Sequence, residues 1–190
     1  MAHPALQAVL ARHHFHYRDF LDLHSFTLLE QPLPNLAADR IDYTLRDLYK
    51  LGVLAKSDIE WFLEGLRVHE GRIVVGSAAH ARWFKLQYTY LTEQYFAGAQ
   101  NQAANRFLRA LIEPYYEAGQ LTLADFEQDD AYLLGRLREI TGQPVTELYS
   151  TWMQSEPPDL PLALKPRFVD PEILLGEKIV RLSELGDAYA

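Results

Sequence analysis

The chain contains no cysteine, so disulfides, thiolate metal sites and cysteine nucleophiles are all excluded. It has no apolar run near the ~18 residues that a membrane-spanning helix needs. MAHPALQAVLARHH at its start lacks the charged-then-apolar layout of a signal peptide. Basic charge is short as well: 18 Lys and Arg stand against 26 Asp and Glu, for a net charge of −8. A protein that coats a phosphate backbone carries the opposite balance, so nucleic acid is not the expected partner. No glycine-rich phosphate loop, GxSxG elbow or HExxH pair occurs, and there is no internal repeat or low-complexity stretch. What remains is ordinary: 190 residues, 48% apolar and 23% charged, enough to bury a real core and unlike a disordered chain. The expectation is a cytoplasmic protein with no membrane attachment.

Helical periodicity dominates. Residues 3–12 place Leu6, Val9 and Leu10 on one face, and residues 17–23 alternate Phe20, Leu21 and Leu23 with charges. In TLLEQPLPN (27–35), Pro32 and Pro34 forbid helix and push Gln31 and Leu33 toward extended backbone. Asn35 is a good N-cap, which predicts a helix from Leu36 to about Leu51 with Gly52 as its stop. A further helix opens at Lys56 or Ser57, with Ile59, Phe62, Leu63 and Leu66 on its buried side. RIVVG at 72–76 is short, β-branched and the best strand candidate of the first half. From Ser77 to about Gly119 a helical pattern runs on, with Gly98 as interior breaker and Pro114 as kink or stop. Its central part, about 77–113, is dense in aromatics such as Trp83, Phe84, Tyr88 and Phe107, and reads as the core helix. Shorter helices are predicted at 122–127, 129–141 and 145–153, with Asp129 and Asp130 as an N-cap and Gly142 as a stop. The proline-rich SEPPDLPLALKPRFVDPE reads as a wrapped loop with a short strand at 165–169, and the tail from 172 to 185 as a helix. The expected fold class is all-α: a single helical domain over residues 1–190 with a minor β strand pair.

LAADRIDYTLRDLYKLGVL (36–54) is the segment richest in chemistry. On a helix of 3.6 residues per turn, Asp39, Tyr43 and Asp47 form one gently drifting stripe, with Arg40 beside its start. Ile41, Leu45 and Leu48 form the opposite, core-facing row. Such a wall suits a divalent metal at Asp39, a phosphate at Arg40 and a sugar hydroxyl at Tyr43 and Asp47. The same spacing equally describes a solvated face laced by ion pairs such as Asp42 with Arg46. His13, His14, His16 and His24 crowd the N-terminal region, where plain exposure accounts for them without a metal; His69 and His80 stand singly near helix ends.

ADRIDYTLRD (38–47), followed by LGVL (51–54), resembles the third metal-ligand motif of HD-domain phosphohydrolases, the group that includes deoxynucleoside triphosphate triphosphohydrolases. FTLLEQPLPNL before it, ARWF at 81–84, LTLADFEQDDAYLLGRLRE at 121–139, and KPRFVDP and RLSEL near the end are similar to further segments of a bacterial branch. The resemblance thus runs from about residue 25 to 187. It implies a mostly helical fold and attack of an activated water on a phosphate ester, with a divalent ion (Mn, Fe, Ni, Zn or Mg) polarising the phosphoryl group. By resemblance, Asp39 would be the last metal ligand, Arg40 would contact substrate phosphate, and Tyr43 and Asp47 would face the sugar of a nucleotide or related phosphate ester. The His-Asp dipeptide that gives the family its name occurs nowhere in this sequence; HHFHYRD (13–19) does not replace it, and Glu93 stands where a basic residue is implied. The expectation is therefore the C-terminal portion of such an enzyme, inactive as this chain alone and completed by an N-terminal half bearing the HD pair. The alternative is a catalytically inactive helical module that binds a nucleotide or oligomerises. The family habit of assembling adds the expectation of a homo-oligomer.

Overall fold

A computed structural model describes residues 4–22, 25–155 and 166–186. Among the described residues the chain is mostly helical, with eight α-helices and one four-stranded sheet, and no helix is long and apolar enough to cross a membrane. They gather into two compact units, Met1–Leu91 with Pro166–Ala190, and Thr92–Lys165, where the periodicity alone predicts one domain.

The first unit opens with α1 (Pro4–Arg12) and a 3₁₀ turn at Tyr17–Phe20. Leu23, at the end of the helix predicted over 17–23, lies outside the described residues. The proline-rich segment then supplies the start of the next helix: the carbonyls of Leu28 and Leu29 accept from the N–H groups of Ala38 and Asp39 at 2.8 and 3.2 Å. Those carbonyls satisfy donors that a side-chain cap would otherwise meet. α2 accordingly runs Ala38–Lys50 with Ala37 at the N-cap, a correction to the start at Leu36 and the cap at Asn35. Gly52, at φ 72°, stands just past its end as predicted. α3 (Lys56–Glu64) buries Phe62 but leaves Leu63 47% exposed.

β1 (Leu66–His69) and β2 (Arg72–Val75) form a hairpin through Glu70 and Gly71, at φ 48° and 71°. Two positive φ values in a two-residue loop give the twist that matches right-handed strands. β2 pairs in parallel with β3 (Glu172–Leu175), which turns through Gly176 (φ 65°) into antiparallel β4 (Lys178–Arg181), for a sheet order β1-β2-β3-β4. The sheet is thus larger than the predicted strand pair. The predicted helix over 172–185 is instead this hairpin and a 3₁₀ turn at Leu182–Glu184. Ile173, Ile179 and Val180 are β-branched, and only the ladder sets Glu172 opposite Arg181. The strand predicted at 165–169 does not form over 166–169, while Lys165 and the rest of the proline-rich loop from 156 lie outside the described residues.

α4 (Ala78–Tyr90) packs on α2 and on the sheet. Its Phe84 stacks on Phe62 at 4.9 Å, with Val74, Val75 and Ile173 fully buried nearby in the same unit. The helix predicted as continuous over 77–113 is divided. A π-helical turn at Leu91–Phe96 follows α4, and α5 (Ala99–Glu117) starts only after Gly98. A Cβ at position 98 would stand 2.1 Å from the Gln94 carbonyl oxygen, so the break requires glycine. Pro114 is carried inside α5 and does not end it. In the second unit α6 (Leu123–Phe126), α7 (Asp130–Thr141) and α8 (Val145–Gln154) fall where the sequence predicts them. Asp129 caps α7 by accepting from the Tyr132 N–H at 2.8 Å, and Gly142 closes it at φ 74°. Phe107 of α5 meets Tyr149 and Trp152 of α8 at 5.1 and 5.7 Å.

His80 joins α3 to α4. Its ring stacks on Trp61 at 4.2 Å, Nδ1 lies 2.6 Å from Ser77 Oγ, and Nε2 lies 3.2 Å from the Trp61 carbonyl. A Cβ on Gly65 would come within 2.3 Å of that ring. Gly65→Ala is therefore expected to lower urea stability by about 1–3 kcal/mol. The penalty largely disappears in a His80→Ala background, whereas strictly additive losses in the double variant would contradict the packing described.

Candidate functional site

The first turn of α2 is held by arginines that reach across the first unit. Arg40, 9% exposed, donates to the carbonyl of Asn35 and, at 3.1 Å, to that of Gln31; no carboxylate among the described residues pairs with it. The Asn35 side chain in turn accepts from Arg181 at 2.8 Å. Arg181 also donates to the Asp170 carbonyl at 3.1 Å and lies 3.4 Å from Glu172. Glu172 is buried, with Arg72 at 3.2 Å on its other side. A carboxylate at that depth is tolerated because two guanidiniums supply opposite charge and Arg72 also donates hydrogen bonds to it. The β3–β4 hairpin thereby fixes the loop before α2, and the Asp170 N–H adds a bond to the Pro34 carbonyl at 3.0 Å.

Along α2 the predicted stripe is present. Asp39 is exposed in the first turn, its carboxylate accepting from the Arg40 N–H at 2.5 Å. Tyr43 is half-buried and donates to the hydroxyl of buried Tyr88 at 3.4 Å. Asp47, also half-buried, lies 3.3 Å from Arg46, which pairs with Asp42 at 2.5 Å as the solvated-face reading anticipates. Ile41, Leu45 and Leu48 are buried on the other side. Arg40 is less available than its sequence position suggests, because two backbone carbonyls already occupy its guanidinium. Burial, then the bond to Tyr88, push the Tyr43 hydroxyl well above the usual phenol range, against the pull of Arg40 and Arg167.

Among the described residues no three His, Cys, Asp or Glu side chains gather as a metal site would require. Asp39 alone does not fit a divalent cation, which takes several oxygen or nitrogen ligands at once. His13, His14 and His16 are exposed, and His16 uses Nδ1 to accept from the Arg18 N–H at 3.2 Å as a cap; His24 lies outside the described residues. Sequence reasoning missed Glu172, Arg72, Arg181, Tyr88 and Arg167. Arg167 and Arg181 do fall within KPRFVDP and RLSEL, so the segments were visible even where the roles were not.

Comparison with known proteins adds a limited likeness. No family model matches the chain, and no solved structure matches it. The uncharacterized protein YdhJ of Bacillus subtilis is 29% identical over 195 residues, covering 98% of this chain and 60% of that protein. The chain therefore spans about 60% of the length of that relative. The metal-dependent phosphohydrolase cns2 of Cordyceps militaris is 39% identical over 62 residues, which is 33% of this chain and 18% of that protein.

The Tyr43 hydroxyl carries a pH consequence. Its folded value lies above the unfolded one of about 10, so its contribution to stability is complete below that pH and is lost as pH rises beyond it. The urea midpoint should fall more steeply above pH 10 in the native sequence than in Tyr43→Phe. Parallel curves would show that Tyr43 is not held as described.

Proposed function

We propose that this chain is part of a metal-dependent phosphohydrolase of the HD type, acting on a nucleotide or related phosphate ester. α2 supplies one wall of a site that residues outside this chain complete. The observation that carries the reading is Asp39 standing exposed at the start of α2 with Tyr43 and Asp47 on the same stripe, inside a segment that resembles that family's metal-ligand motif. The name of the Cordyceps relative supports it. In this reading Asp39 contributes one ligand to the divalent ion, Arg40 shapes the phosphate end, and Tyr43 and Asp47 line the sugar. Because the residues present do not make a full cage, no catalytic step is assigned to this chain alone. A cysteine-free sequence suits the reducing cytoplasm.

A second reading, a catalytically inactive helical module that binds a nucleotide or self-associates, draws on two observations. The guanidinium of Arg40 is already bound to carbonyls, and no ligand cluster is found among the described residues.

Paramagnetic broadening by dilute Mn²⁺ separates the two. With one ligand of the cage present the ion exchanges rapidly and binds weakly, so the first reading expects modest NMR line broadening centred on the amides of residues 38–43, removed by Asp39→Ala and kept in Glu60→Ala. Broadening centred elsewhere, or surviving Asp39→Ala, would sink the assignment of Asp39.

A further inference from the structure

The outer face of α5, in the second unit, carries an apolar groove. Leu108, Ile112 and Tyr116 recur every four residues along α5, and Leu123 and Phe126 of α6 complete the lining of a space of about 340 Å³. Ile112 lies about 140° around the helix from Phe107, which packs on Tyr149 and Trp152 of α8. The stripe therefore faces away from the unit's own aromatic contacts. The Tyr116 ring meets Phe126 edge-on at 5.9 Å, which seats α6 on the C-terminal part of α5. Tyr116 is 44% exposed and Leu123 69%. Apolar side chains gathered in this way, in place of a single scattered residue, mark a surface that another molecule covers. Arg109 and Glu113 line the same groove, as an exposed ion pair at 3.4 Å.

The order of those two charges identifies the occupant. Along α5 a cation precedes an anion by one turn. A second α5 running the opposite way sets its anion beside that cation and its cation beside that anion, so the pattern is its own complement under a two-fold rotation. A parallel pair would instead set Arg109 beside Arg109, like charge on like. The apolar stripe has the same symmetry: rotation about an axis near Leu111 and Ile112 brings Leu108 against the partner's Tyr116 and leaves Ile112 against its counterpart. We propose that the α5–α6 face is an isologous interface between two copies of this chain, with α5 antiparallel to the partner's α5 and Arg109 paired with the partner's Glu113. The partner's Leu108 then lies at the Tyr116 end of the groove, beside Leu123. Charges at such a rim contribute little affinity and chiefly select orientation, while the apolar stripe supplies the attraction. The inference stands on the second unit alone and does not depend on the phosphohydrolase reading.

The test combines sedimentation with cross-linking. The native chain should sediment as a dimer at about 100 μM, well above the micromolar affinities of weak specific interfaces. Arg109→Glu should weaken the dimer by about tenfold or more, because it sets like charges together twice, and adding Glu113→Arg to the same chain should restore it. The chain has no cysteine, so introduced ones report the orientation without background. Under oxidation a mixture of Leu108→Cys and Tyr116→Cys chains should cross-link, while either alone, or Leu86→Cys on α4 outside the groove, should not. Leu108, Arg109, Glu113 and Tyr116 are all exposed, so these variants keep the fold. A monomer at that concentration overturns the proposal. So does a dimer indifferent to Arg109→Glu or not recovered in the double variant, or Leu108→Cys cross-linking to itself as fast as the mixture.

Discussion

The carboxylate of Glu172, buried between the guanidiniums of Arg72 and Arg181, is the contact on which the first unit's organisation turns. Removing a carboxylate from water is costly, and close partners of opposite charge are needed to offset it. Those partners come from β2 and β4, so satisfying Glu172 fixes the β1–β2 and β3–β4 hairpins side by side, with β2 and β3 parallel. Arg181 then has donors left over, and they reach Asn35 and the Asp170 carbonyl. The loop before α2 is held from the far end of the sequence.

That constraint reaches the Asp39 stripe of α2 through short local bonds. Asn35 offers its carbonyl to Arg40, and Leu28 and Leu29 offer theirs to the first free N–H groups of α2. The first turn therefore begins at Ala38 and presents Asp39 outward while Arg40 turns inward. One turn later Tyr43 is steadied by Tyr88, so the stripe is anchored at two heights. The arginine that looks from sequence like a phosphate ligand is in large part a structural clamp, and the aspartate next to it stays exposed with its carboxylate on the Arg40 N–H.

Elements set by local signals were legible in the sequence. Asp129 and Gly142 bound α7 where capping chemistry places them, Gly52 ends the region of α2, and the β-branched run at 72–75 is a strand. The stripe on α2 follows from helical spacing alone. What escaped depends on distant partners. Asn35 has the chemistry of a cap, yet its side chain accepts from Arg181, 146 residues away. Glu172 and Arg72 are 100 residues apart, and without that pairing the tail reads as a helix in place of a hairpin. The aromatic run from 77 onward keeps a helical period broken only by Gly98, which marks the start of α5 but gives no sign of the π-helical turn at Leu91–Phe96.

The dependence of the Asp39 wall on the C-terminal hairpin can be measured through amide hydrogen exchange in Arg181→Ala. Exchange at Ala38 and Asp39, whose N–H groups are held by the loop carbonyls, should speed up by well over tenfold, while core amides around Phe62 and Phe84 keep their protection. Unchanged protection at Ala38 and Asp39 would mean that the start of α2 is fixed by its own loop, and that the arginine network does not position the site.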